Sequence, residues 1–363
     1  MKVLVVNTVS FCRNGISNVI FNIFKEIDRK KIQMDFVATD DKTEQWAREL
    51  IRENGGKLFQ INKSYSHILT YIKELSKCLK EYDAIHIHGN SSSMVFELIA
   101  AKMAGIDKRI VHSHNTTCGS PYLDKLLRPL FYRLCDIRLA CGEDAGRWMY
   151  ENRVFQVINN GIDTELYRYC EKDRIKERSK WGISNEEVLI GHVGRLNQQK
   201  NQTYLLEIFK RLVINNNKIK LILIGDGPLE KELRSKADKI GISDKVIFAG
   251  AINNVNVLLN AIDIIVMPSL YEGLPLTLIE EQANGLVCIV SDTITEEVNI
   301  SGNVRFASLN DDKNVWTKIV EDEIRKNLKR SRNNQSTESI KRIRKKGFDI
   351  CESVKKLNDL YNR

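Results

Sequence analysis

Short runs of apolar, mostly β-branched residues recur along the first half of the chain, and most are followed by a stretch in which apolar residues repeat at helical spacing. Alternation of buried strands with amphipathic helices is typical of a parallel β-sheet covered by helices on both faces. The first half of the chain is therefore predicted to be a series of βαβ units. Its strands are KVLVVN, MDFVAT, AIHIHG, RIVHSHN and IRLACG, and its helices are SNVIFNIFKEI, TEQWARELIRENG and SSMVFELIAAKMAG.

A second series of the same kind begins after residues 165–185, where the sequence is polar and irregular. Its strands are VLIGHVGRL, IKLILIGDG, KVIFAG, DIIVMPS and CIVSD, and helical patterns lie between them. We place the connection between two domains at residues 165–185 and predict an α/β fold of two doubly wound, Rossmann-like domains. Two such domains facing each other leave a cleft at the carboxyl ends of both sheets, where open α/β folds bind ligands. The final segment, residues 338–363, is helical in pattern.

The length and composition agree with this organisation. At 363 residues the chain is longer than a single hydrophobic core supports, and it is 42% hydrophobic and 28% charged, as ordinary globular proteins are. The apolar N-terminus is too short for a signal peptide, and no stretch is apolar for long enough to span a bilayer, so we expect a soluble or peripheral protein. The eight cysteines contain no C-x-x-C pair, which favours reduced thiols and a cytoplasmic location.

Positive charge is concentrated near the C-terminus. The net charge is +9, and residues 325–346 contain ten Lys or Arg and one acid, Glu338. This basic cluster is either a solvated helical face or the contact for an anionic partner, such as a membrane surface or an anionic substrate. Nucleic acid is not an expected partner, because the cluster lacks an aromatic platform and a recognised binding motif.

The segment SLYEGLPLTLIEE, residues 269–281, places two glutamates around a Gly-Leu-Pro turn. Pro275 suits a helix start, so Glu272 is expected in the loop before a helix and Glu280 inside it. The free N–H groups at such a helix start, in residues 274–277, bind phosphates, and five residues of helix rise by about 7.5 Å, roughly the distance from a nucleotide's phosphates to its ribose. Two other interpretations stay open at this point: exposed surface acids, or the acid/base pair of a glycosidase.

Other loops after predicted strands also suit a phosphate ligand. GHVGRLNQQKN places Gly194, Arg195 and Lys200 directly after a strand, where two cations and a bare backbone could hold a diphosphate. The turn in LILIGDGPLEKEL lacks the third glycine of a dinucleotide fingerprint, so we do not predict an NAD site there. Asn14 and Gly15 lie between the first strand and the first helix, where the backbone usually approaches a ligand.

Together these segments resemble the retaining GT-B glycosyltransferases of family GT4, nucleotide-sugar enzymes, over nearly the whole chain. The second domain of that family contains a glutamate, seven residues and a second glutamate, which is the spacing of Glu272 and Glu280. No single segment decides the resemblance, but the ordered set is specific. The matching segments are the Gly15 loop, HIHG at 86–89, HSHN at 112–115, NNGID at 159–163, Gly194-Arg195 with Lys200, GDGP at 225–228 and MPSLYEGLP at 267–275.

The resemblance implies roles for the charged residues. Arg195 and Lys200 would bind the donor diphosphate and stabilise the leaving group, and Glu280 would hold the ribose hydroxyls. Glu272 would face the transferred sugar, and His114 would lie beside that sugar in the reaction site. Fixed cations suit this chemistry, because glycosyl transfer develops negative charge on the departing diphosphate. In the family, the acceptor attacks on the face from which the diphosphate leaves.

The resemblance also implies backbone contacts and a division into domains. Gly15 would close over the phosphates, and His88 and Gly89 would lie on the acceptor side. The residues expected at the donor are Asn14, Gly15, Gly194, Arg195, Lys200, Gly273, Leu274, Pro275, Leu276 and Glu280. We expect an acceptor-binding domain at residues 1–168, a nucleotide-sugar-binding domain at residues 169–345, and a helix at residues 346–363 that returns to the first domain.

The chain departs from the family pattern at two points. Asn14-Gly15 replaces a pair of glycines, and Glu272-Gly273-Leu274-Pro275 replaces the common EGFG. The proline variant, with SDTITEEV and ASLNDDKNVW, resembles the branch that builds capsular polysaccharides and exopolysaccharides. The chain contains no Asp-x-Asp, so we expect a metal-independent enzyme without a cofactor.

The implied function is transfer of a sugar from a nucleotide-diphosphate donor, expected to be a UDP-sugar, to a glycan acceptor that we expect to be linked to a polyprenyl diphosphate. The expected location is the cytoplasm, with peripheral contact at the inner face of the plasma membrane. The nearest alternative on the same fold is a UDP-sugar 2-epimerase. An epimerase would convert the donor alone, whereas a transferase needs an acceptor.

Two features of the first domain allow more than one interpretation. The pairs His86 with His88 and His112 with His114 could in principle ligate a metal, but we favour His86 and His112 as core histidines bonded to backbone, and we expect no metal. The segment PYLDKLLRPLFYRL, residues 121–134, is basic and aromatic, so it suits either a membrane interface or packing on its own domain.

Overall fold

The structure is a computed structural model that describes residues 1–12, 14–327 and 330–362. The chain forms two compact units. Unit 1 combines Met1–Gly161 with Gly347–Arg363, and unit 2 is Ile162–Lys346. Each unit is built on a parallel β-sheet with helices, so the predicted α/β class is confirmed.

Unit 1 contains a seven-stranded sheet in the order β3-β2-β1-β4-β5-β6-β7. Its strands are β1 Lys2–Asn7, β2 Gln33–Ala38, β3 Leu58–Gln60, β4 Ala84–Gly89, β5 Lys108–Ser113, β6 Ile137–Ala140 and β7 Gln156–Val157. Its helices are α1 Gly15–Glu26, α2 Gln45–Glu53, α3 Ile68–Leu79, α4 Val95–Met103, α5 Pro121–Leu134, α6 Glu143–Tyr150 and α14 Ile350–Asn362, with short 3₁₀ helices at Tyr65–His67 and Ser92–Met94.

Helix α14 belongs to unit 1 although it lies at the end of the chain. The Ser353 hydroxyl donates a hydrogen bond of 2.8 Å to the Asn159 carbonyl. Gly161 approaches the start of α14 so closely that a Cβ atom there would lie 2.7 Å from the Cα of Ile350. A larger residue at position 161 would therefore push the helix away from the unit.

Unit 2 contains a six-stranded sheet in the order β10-β9-β8-β11-β12-β13. Its strands are β8 Val188–Val193, β9 Ile219–Ile224, β10 Val246–Gly250, β11 Ile264–Met267, β12 Val287–Ser291 and β13 Val304–Ala307. Its helices are α7 Glu171–Lys180, α8 Gln202–Asn215, α9 Glu230–Lys239, α10 Val255–Leu259, α11 Leu276–Ala283, α12 Lys313–Asn327 and α13 Arg332–Lys345, with 3₁₀ helices at Ser243–Lys245 and Glu296–Val298.

Alternate residues of the strands in unit 2 pack into two separate apolar clusters. Leu221 and Leu223 of β9 belong to a cluster that includes Trp316, whereas Ile222 and Ile224 belong to the other cluster. Successive side chains of a strand point to opposite faces of a sheet, so both faces of this sheet are covered. Because both faces are buried, the strands are continuous apolar runs in the sequence and do not alternate with polar residues.

The prediction of an irregular connection at residues 165–185 is wrong for Glu171–Lys180, which forms α7 within unit 2. This helix is polar along most of its length, so apolar periodicity does not reveal it. It is held in place by Arg174 and Arg178, whose guanidinium groups lie 2.7 and 3.0 Å from the carboxylate of Asp263. Most helices are held against their domain by an apolar face, whereas α7 is held by ion pairs with a residue far away in the sequence.

The basic cluster of residues 325–346 is partly engaged within unit 2. The Arg332 guanidinium donates hydrogen bonds to backbone carbonyls, and burial lowers the pKa of Arg332 to about 10. Arg344 lies 2.6 Å from the carboxylate of Glu165. Lys329 lies outside the described residues. Because several cations have intramolecular partners, the structure favours a domain surface over a dedicated contact for an anionic partner.

The helices and the cysteines are the features of the structure that relate to the expected location of the protein. Along the described part of the chain, no helix combines the length and the apolar character needed to cross a bilayer. The cysteines are free thiols, of which Cys135 and Cys288 are buried and Cys351 is exposed.

Replacement of Asp263 by alanine is expected to destabilise the protein by about 3–5 kcal/mol, because it leaves Arg178 buried without its charge partner. The side chain of Arg178 is only 3% exposed. Chemical denaturation followed by circular dichroism measures the change. Asp244→Ala removes an exposed carboxylate from the same unit and should change the midpoint little. A midpoint for Asp263→Ala equal to that of the Asp244→Ala control would contradict the prediction.

Candidate functional site

A largely buried ion pair joins two loops at the carboxyl end of the unit 2 sheet. Lys200 lies in the loop after β8, and Glu272 lies in the loop between β11 and α11. Lys200 Nζ is 2.6 Å from Glu272 Oε1, and the two side chains are 14% and 8% exposed. The interpretation of Glu272 as an exposed surface acid is therefore wrong.

Gln199 connects the same two loops. Its side-chain amide donates to the Tyr271 carbonyl over 3.0 Å and to Glu272 Oε2 over 3.4 Å. Its backbone carbonyl accepts a hydrogen bond of 2.8 Å from Leu270 N–H. The carboxylate of Glu272 is therefore held by two side chains from one loop, and the loops form one connected structure.

The GDGP turn after β9 packs closely against the loop after β8. A Cβ atom on Gly225 would lie 2.2 Å from the Gly194 carbonyl oxygen, and one on Gly227 would lie 2.3 Å from the Leu196 carbonyl oxygen. Gly225 also has a φ of +133°, which side chains rarely allow. The turn therefore needs both glycines for packing, which explains the motif without a dinucleotide ligand.

The two predicted cations differ in their surroundings. The stem of Lys200 lies against Gly194, where an added Cβ atom would be 3.0 Å from Lys200 Cε. Arg195 is exposed, and it has no ion-pair partner among residues 1–12, 14–327 and 330–362. Its backbone carbonyl accepts a hydrogen bond of 2.9 Å from the Gln202 side chain, which fixes the backbone at this point. The Arg195 side chain is therefore free to meet an anion.

The Glu-Gly-Leu-Pro segment leads directly into α11. This helix begins at Leu276, one residue after Pro275, so the proline precedes the helix instead of occupying its first turn. The first backbone N–H groups of a helix have no partner within it, and those of α11 start at Leu276 because proline has none. Gly273 is exposed, and a Cβ atom there would meet nothing within 4 Å. The backbone of this turn is open to a ligand.

Glu280 lies inside α11, as predicted, and it is paired with Tyr167. Burial raises the pKa of Glu280 to about 7, and a hydrogen bond from the Tyr167 hydroxyl opposes this shift. The same contact and burial raise the pKa of Tyr167. Glu281, the next residue, is fully buried, and its pKa is raised well above the ordinary value by burial and by the charge of Glu280. A carboxyl group that can change its charge near neutral pH thus lies in the helix.

Asn14, which stands where the family pattern has a glycine, uses its side chain in hydrogen bonds. Asn14 caps α1, because its side-chain oxygen accepts a hydrogen bond of 2.9 Å from Ser17 N–H. Its side-chain amide donates to the Ser10 carbonyl over 3.0 Å. Gly15 is the first residue of α1, and a Cβ atom there would meet nothing within 4 Å. The side chain of Asn14 is therefore engaged, whereas the Gly15 backbone has open space beside it.

His88 and His114 are in direct contact in unit 1. His88 Nδ1 lies 2.8 Å from His114 Nε2, so one proton is shared in a hydrogen bond between the two rings. The backbone N–H of His114 donates to the Asn90 side chain over 3.2 Å. Gly89 is buried, and an added Cβ atom would lie 2.3 Å from Thr8 Oγ1, so packing accounts for this glycine.

The other two histidines lie on the same face of the sheet. His86 and His112 are buried, as predicted, but His86 Nδ1 bonds the hydroxyl of Tyr361 at 2.6 Å and not the backbone. Burial lowers the pKa of His86 and of His114 to about 3, and it lowers the pKa of His88 and His112 well below the ordinary value. All four imidazoles are therefore uncharged at neutral pH.

A polar cavity of about 500 Å³ opens at the carboxyl end of the unit 1 sheet. It is lined mainly by hydroxyl, amide and charged side chains, which suit a ligand with many hydroxyl groups. The polar groups that line it include Thr8, Thr39, Asp40, Lys63, Asn90 and Asn115. A cavity of about 400 Å³ in unit 2 is lined by Arg174, Asp263 and Arg332 and does not include Lys200 or Glu272.

The structure brings some predicted residues together within each unit. In unit 2 it joins Gly194, Lys200 and Glu272, and in unit 1 it joins His88 with His114. Three residues that contact predicted site residues were not predicted: Gln199 contacts Glu272, Tyr167 contacts Glu280, and Asn90 contacts His114. Gln199 is adjacent to Lys200 in a segment already singled out. Tyr167 has no local signal, because its partner is remote in the sequence.

Comparison with known proteins extends this description. A family model described as Glycosyl transferases group 1 matches residues 173–341, and one described as Glycosyltransferase Family 4 matches residues 13–166. EpsF of Bacillus subtilis (strain 168), which is named as a glycosyltransferase, is 34% identical over 324 residues, covering 85% of this chain and 84% of EpsF.

Two further proteins are similar over most of the chain. The Escherichia coli protein named UDP-Gal:alpha-D-GlcNAc-diphosphoundecaprenol alpha-1,3-galactosyltransferase is 28% identical over 328 residues, covering 82% of this chain and 79% of that protein. The crystal structure of Anabaena HepE in complex with UDP has a TM-score of 0.79 at 18% identity, with 100% of both chains covered. This likeness confirms the predicted GT-B fold.

Replacement of Glu280 by glutamine is expected to stabilise the protein much more at pH 8 than at pH 5. Since burial raises the pKa of Glu280 from 4.5 to about 7, the folded protein retains the proton in this range while the unfolded chain releases it. Stability therefore falls as the pH rises through this window, by at most about 3 kcal/mol. Chemical denaturation at both pH values measures the change, with the exposed Glu296→Gln as control. Equal effects of Glu280→Gln at pH 5 and pH 8 would contradict the prediction.

Proposed function

The chain belongs to the group 1 glycosyl transferases of glycosyltransferase family 4, and on this premise we propose that it transfers a sugar from a UDP-sugar to a lipid-linked glycan in the synthesis of a capsular polysaccharide or exopolysaccharide. The reaction proposed retains the configuration of the sugar and needs no metal ion. The observation that supports this most directly is the Lys200–Glu272 pair at the carboxyl end of the unit 2 sheet.

The choice of a UDP-sugar donor is supported by two similar proteins. HepE has been solved with UDP and with UDP-glucose, and the E. coli relative is named for UDP-Gal. In this chain, Arg195 and Lys200 are the cations proposed to hold the diphosphate, and the Glu280 carboxylate is proposed to accept hydrogen bonds from the ribose hydroxyls. Arg195 is exposed and free of ion pairs with other described residues, which suits a diphosphate contact.

Positive charge at the leaving group is the proposed source of catalysis. Negative charge grows on the diphosphate as the glycosidic bond breaks, and cations fixed in place beforehand stabilise it without reorganisation. Lys200 Nζ is held 2.6 Å from Glu272 Oε1. The sequence contains no Asp-x-Asp pair to hold a divalent ion, so these two side chains are proposed to supply the charge that a metal supplies in other transferases.

Glu272 is proposed to orient the sugar and not to attack it. A carboxylate that pairs with a lysine at 2.6 Å is a weaker nucleophile than a free one, because the cation stabilises its negative charge. Attack by the acceptor on the face from which the diphosphate leaves, beside His114, is consistent with retention and needs no covalent intermediate. The glycosidase interpretation is less suitable, since Glu272 and Glu280 have separate partners, Lys200 and Tyr167.

The polar cavity of unit 1 is the proposed binding site for the acceptor. Its lining of hydroxyl, amide and charged groups suits the hydroxyl groups of a glycan. The diphosphoundecaprenol in the name of the E. coli relative supports a lipid-linked acceptor for this chain. The 2-epimerase alternative finds no support, because none of the relatives described above is named an epimerase.

Helix α5 is proposed to contact an anionic membrane that contains the acceptor. Its inner face is anchored, because Asp124 is buried and accepts a hydrogen bond of 2.6 Å from Ser92 N–H. On the opposite face, Tyr122 is 93% exposed and Leu126 is 75% exposed, with Lys125 also exposed. Apolar and basic side chains together on the outer face of a helix suit a membrane interface. A cytoplasmic enzyme bound peripherally at the inner membrane face follows from this proposal.

Replacement of Lys200 by alanine is expected to lower the turnover of a UDP-sugar by a factor of about 10²–10³, because one fixed cation is lost at the leaving group. Binding and slow hydrolysis of UDP-, GDP- and ADP-sugars are compared, with the UDP-sugar expected to bind most tightly. Glu272→Ala should also lower turnover. The control is Lys218→Ala, which removes a lysine from an exposed pair with Glu186 in the same unit.

Normal turnover in both Lys200→Ala and Glu272→Ala would show that the proposed donor site is wrong. Conversion of the donor alone to an epimer would replace the transferase with the alternative activity.

Replacement of both Tyr122 and Leu126 by serine is expected to abolish most binding to vesicles that contain anionic lipid, because the exposed apolar face of α5 is removed. Flotation of the full chain with such vesicles measures binding, and added salt should weaken it. Leu69→Ser, which removes another apolar side chain of unit 1 that is 71% exposed, is the matched control. Wild-type protein that stays wholly in solution would refute membrane contact.

A further inference from the structure

Four of the chain's six histidines lie side by side on one face of the unit 1 sheet. His86 and His88 are alternate residues of β4, so their side chains point to the same face. His112 of β5 pairs with His88 in the strand register, and His114 follows two residues later. The ring centroids of His86 and His88 are 4.2 Å apart, and those of His112 and His114 are 4.3 Å apart.

One ring nitrogen in this group clearly lacks a hydrogen bond. His86 Nε2 is buried and has no hydrogen-bond partner in the part of the chain that the structure describes. The ring of His112 is also buried, and it contacts the backbone of Ile158. Buried polar atoms in proteins are nearly always hydrogen-bonded, because an unpaired one has lost its bonds to water without replacement. An unpaired group of this kind calls for a ligand that the protein side chains do not supply.

We propose that His86, His88 and His112 bind a divalent transition-metal ion of the zinc class, and that the ion stabilises unit 1. One nitrogen from each of the three side chains lies within 4.8 Å of the others. Imidazole nitrogens bind such ions at about 2.0–2.1 Å in a tetrahedral arrangement, which places the nitrogens roughly 3.4 Å apart. Each of the three nitrogens therefore needs to move by about 1 Å or less towards the other two.

Ring orientation sets the movement that binding requires. The planes of His86 and His112 are 7° apart, so these rings are stacked, whereas an imidazole binds a metal in its own plane. At least one ring has to rotate about its Cβ–Cγ bond, which is a torsion with broad, shallow preferences. The contact of His86 Nδ1 with Tyr361 and that of His88 Nδ1 with His114 hold two of the rings from behind, as ligand histidines are usually held.

The group of histidines reaches the surface of unit 1 at His114. His114 is partly exposed, and residues 115–117 that follow it are exposed. The group belongs to unit 1, whereas Lys200 and Glu272 belong to unit 2. The proposed ion would be held by residues other than Lys200 and Arg195, but its ligand His88 contacts His114, which the proposed function places in the reaction site. A metal at this site differs from the sequence-based expectation that no metal binds these histidines.

Cobalt(II) is the probe for this site, because its visible absorption reports the ligands. The full chain is treated with a chelator, dialysed and titrated with Co²⁺, and one equivalent is expected to bind with bands typical of nitrogen ligands and no thiolate charge-transfer band. The absence of that band excludes the free cysteines as ligands. Added Zn²⁺ should displace the cobalt and raise the melting temperature.

Loss of one ligand is expected to weaken Co²⁺ binding at least about tenfold in His112→Gln. Two controls match it: His192→Gln changes a buried histidine in unit 2, and His67→Gln changes an exposed one in unit 1. Both should bind Co²⁺ as the wild type does. If His112→Gln fails to fold, the spectrum and stoichiometry of the wild type decide the question. No binding of one equivalent, a thiolate band, or equal affinity in folded His112→Gln would overturn the proposal.

Discussion

Parallel strand pairing is the constraint on which the rest of this molecule depends. The strands of a parallel sheet all end at one edge, so the loops that follow them meet there however far apart they are in the sequence. Lys200 follows β8 and Glu272 follows β11, which pair directly in the sheet. In unit 1 the neighbouring strands β4 and β5 place His88 beside His114 in the same way. The helices that return the chain cover both faces, which leaves the carboxyl edge for ligands.

The sequence predicts the fold well because its strongest signals are apolar periods that burial requires. It also places Lys200, Glu272 and Glu280 correctly in a loop, a loop and a helix. It does not predict the pairing of Lys200 with Glu272, since that depends on strand order. Helix α7 escaped prediction for a related reason, because its stability comes from contacts of Arg174 and Arg178 with Asp263 and not from an apolar face. The spacing of apolar residues indicates which residues are buried. Ion pairs between residues that are far apart in the sequence produce no such regular spacing.

The candidate donor site combines a restrained cation with a free one. Lys200 is held between Gly194 and Glu272, so its position changes little when a ligand arrives. Arg195 is exposed and can move to meet an anion. A cation that is held in place can stabilise a phosphate without moving, but the phosphate must compete with the carboxylate that already binds it. A cation without a partner attracts the phosphate freely, but its side chain loses conformational entropy on binding. In the proposed function, Arg195 would therefore attract the donor and Lys200 would stabilise the leaving group.

The position of α14 has a consequence for the order in which the protein forms during synthesis. Unit 2 is one continuous segment, so all of it is synthesised before α14. Unit 1 also includes α14. Gly161 and Asn159 can contact this helix only after it has been synthesised. Unit 1 is thus begun before unit 2 and completed after it. A nascent chain halted before residue 347 would expose the surface that Ile350 and Tyr361 cover, which makes an interrupted product a target for chaperones.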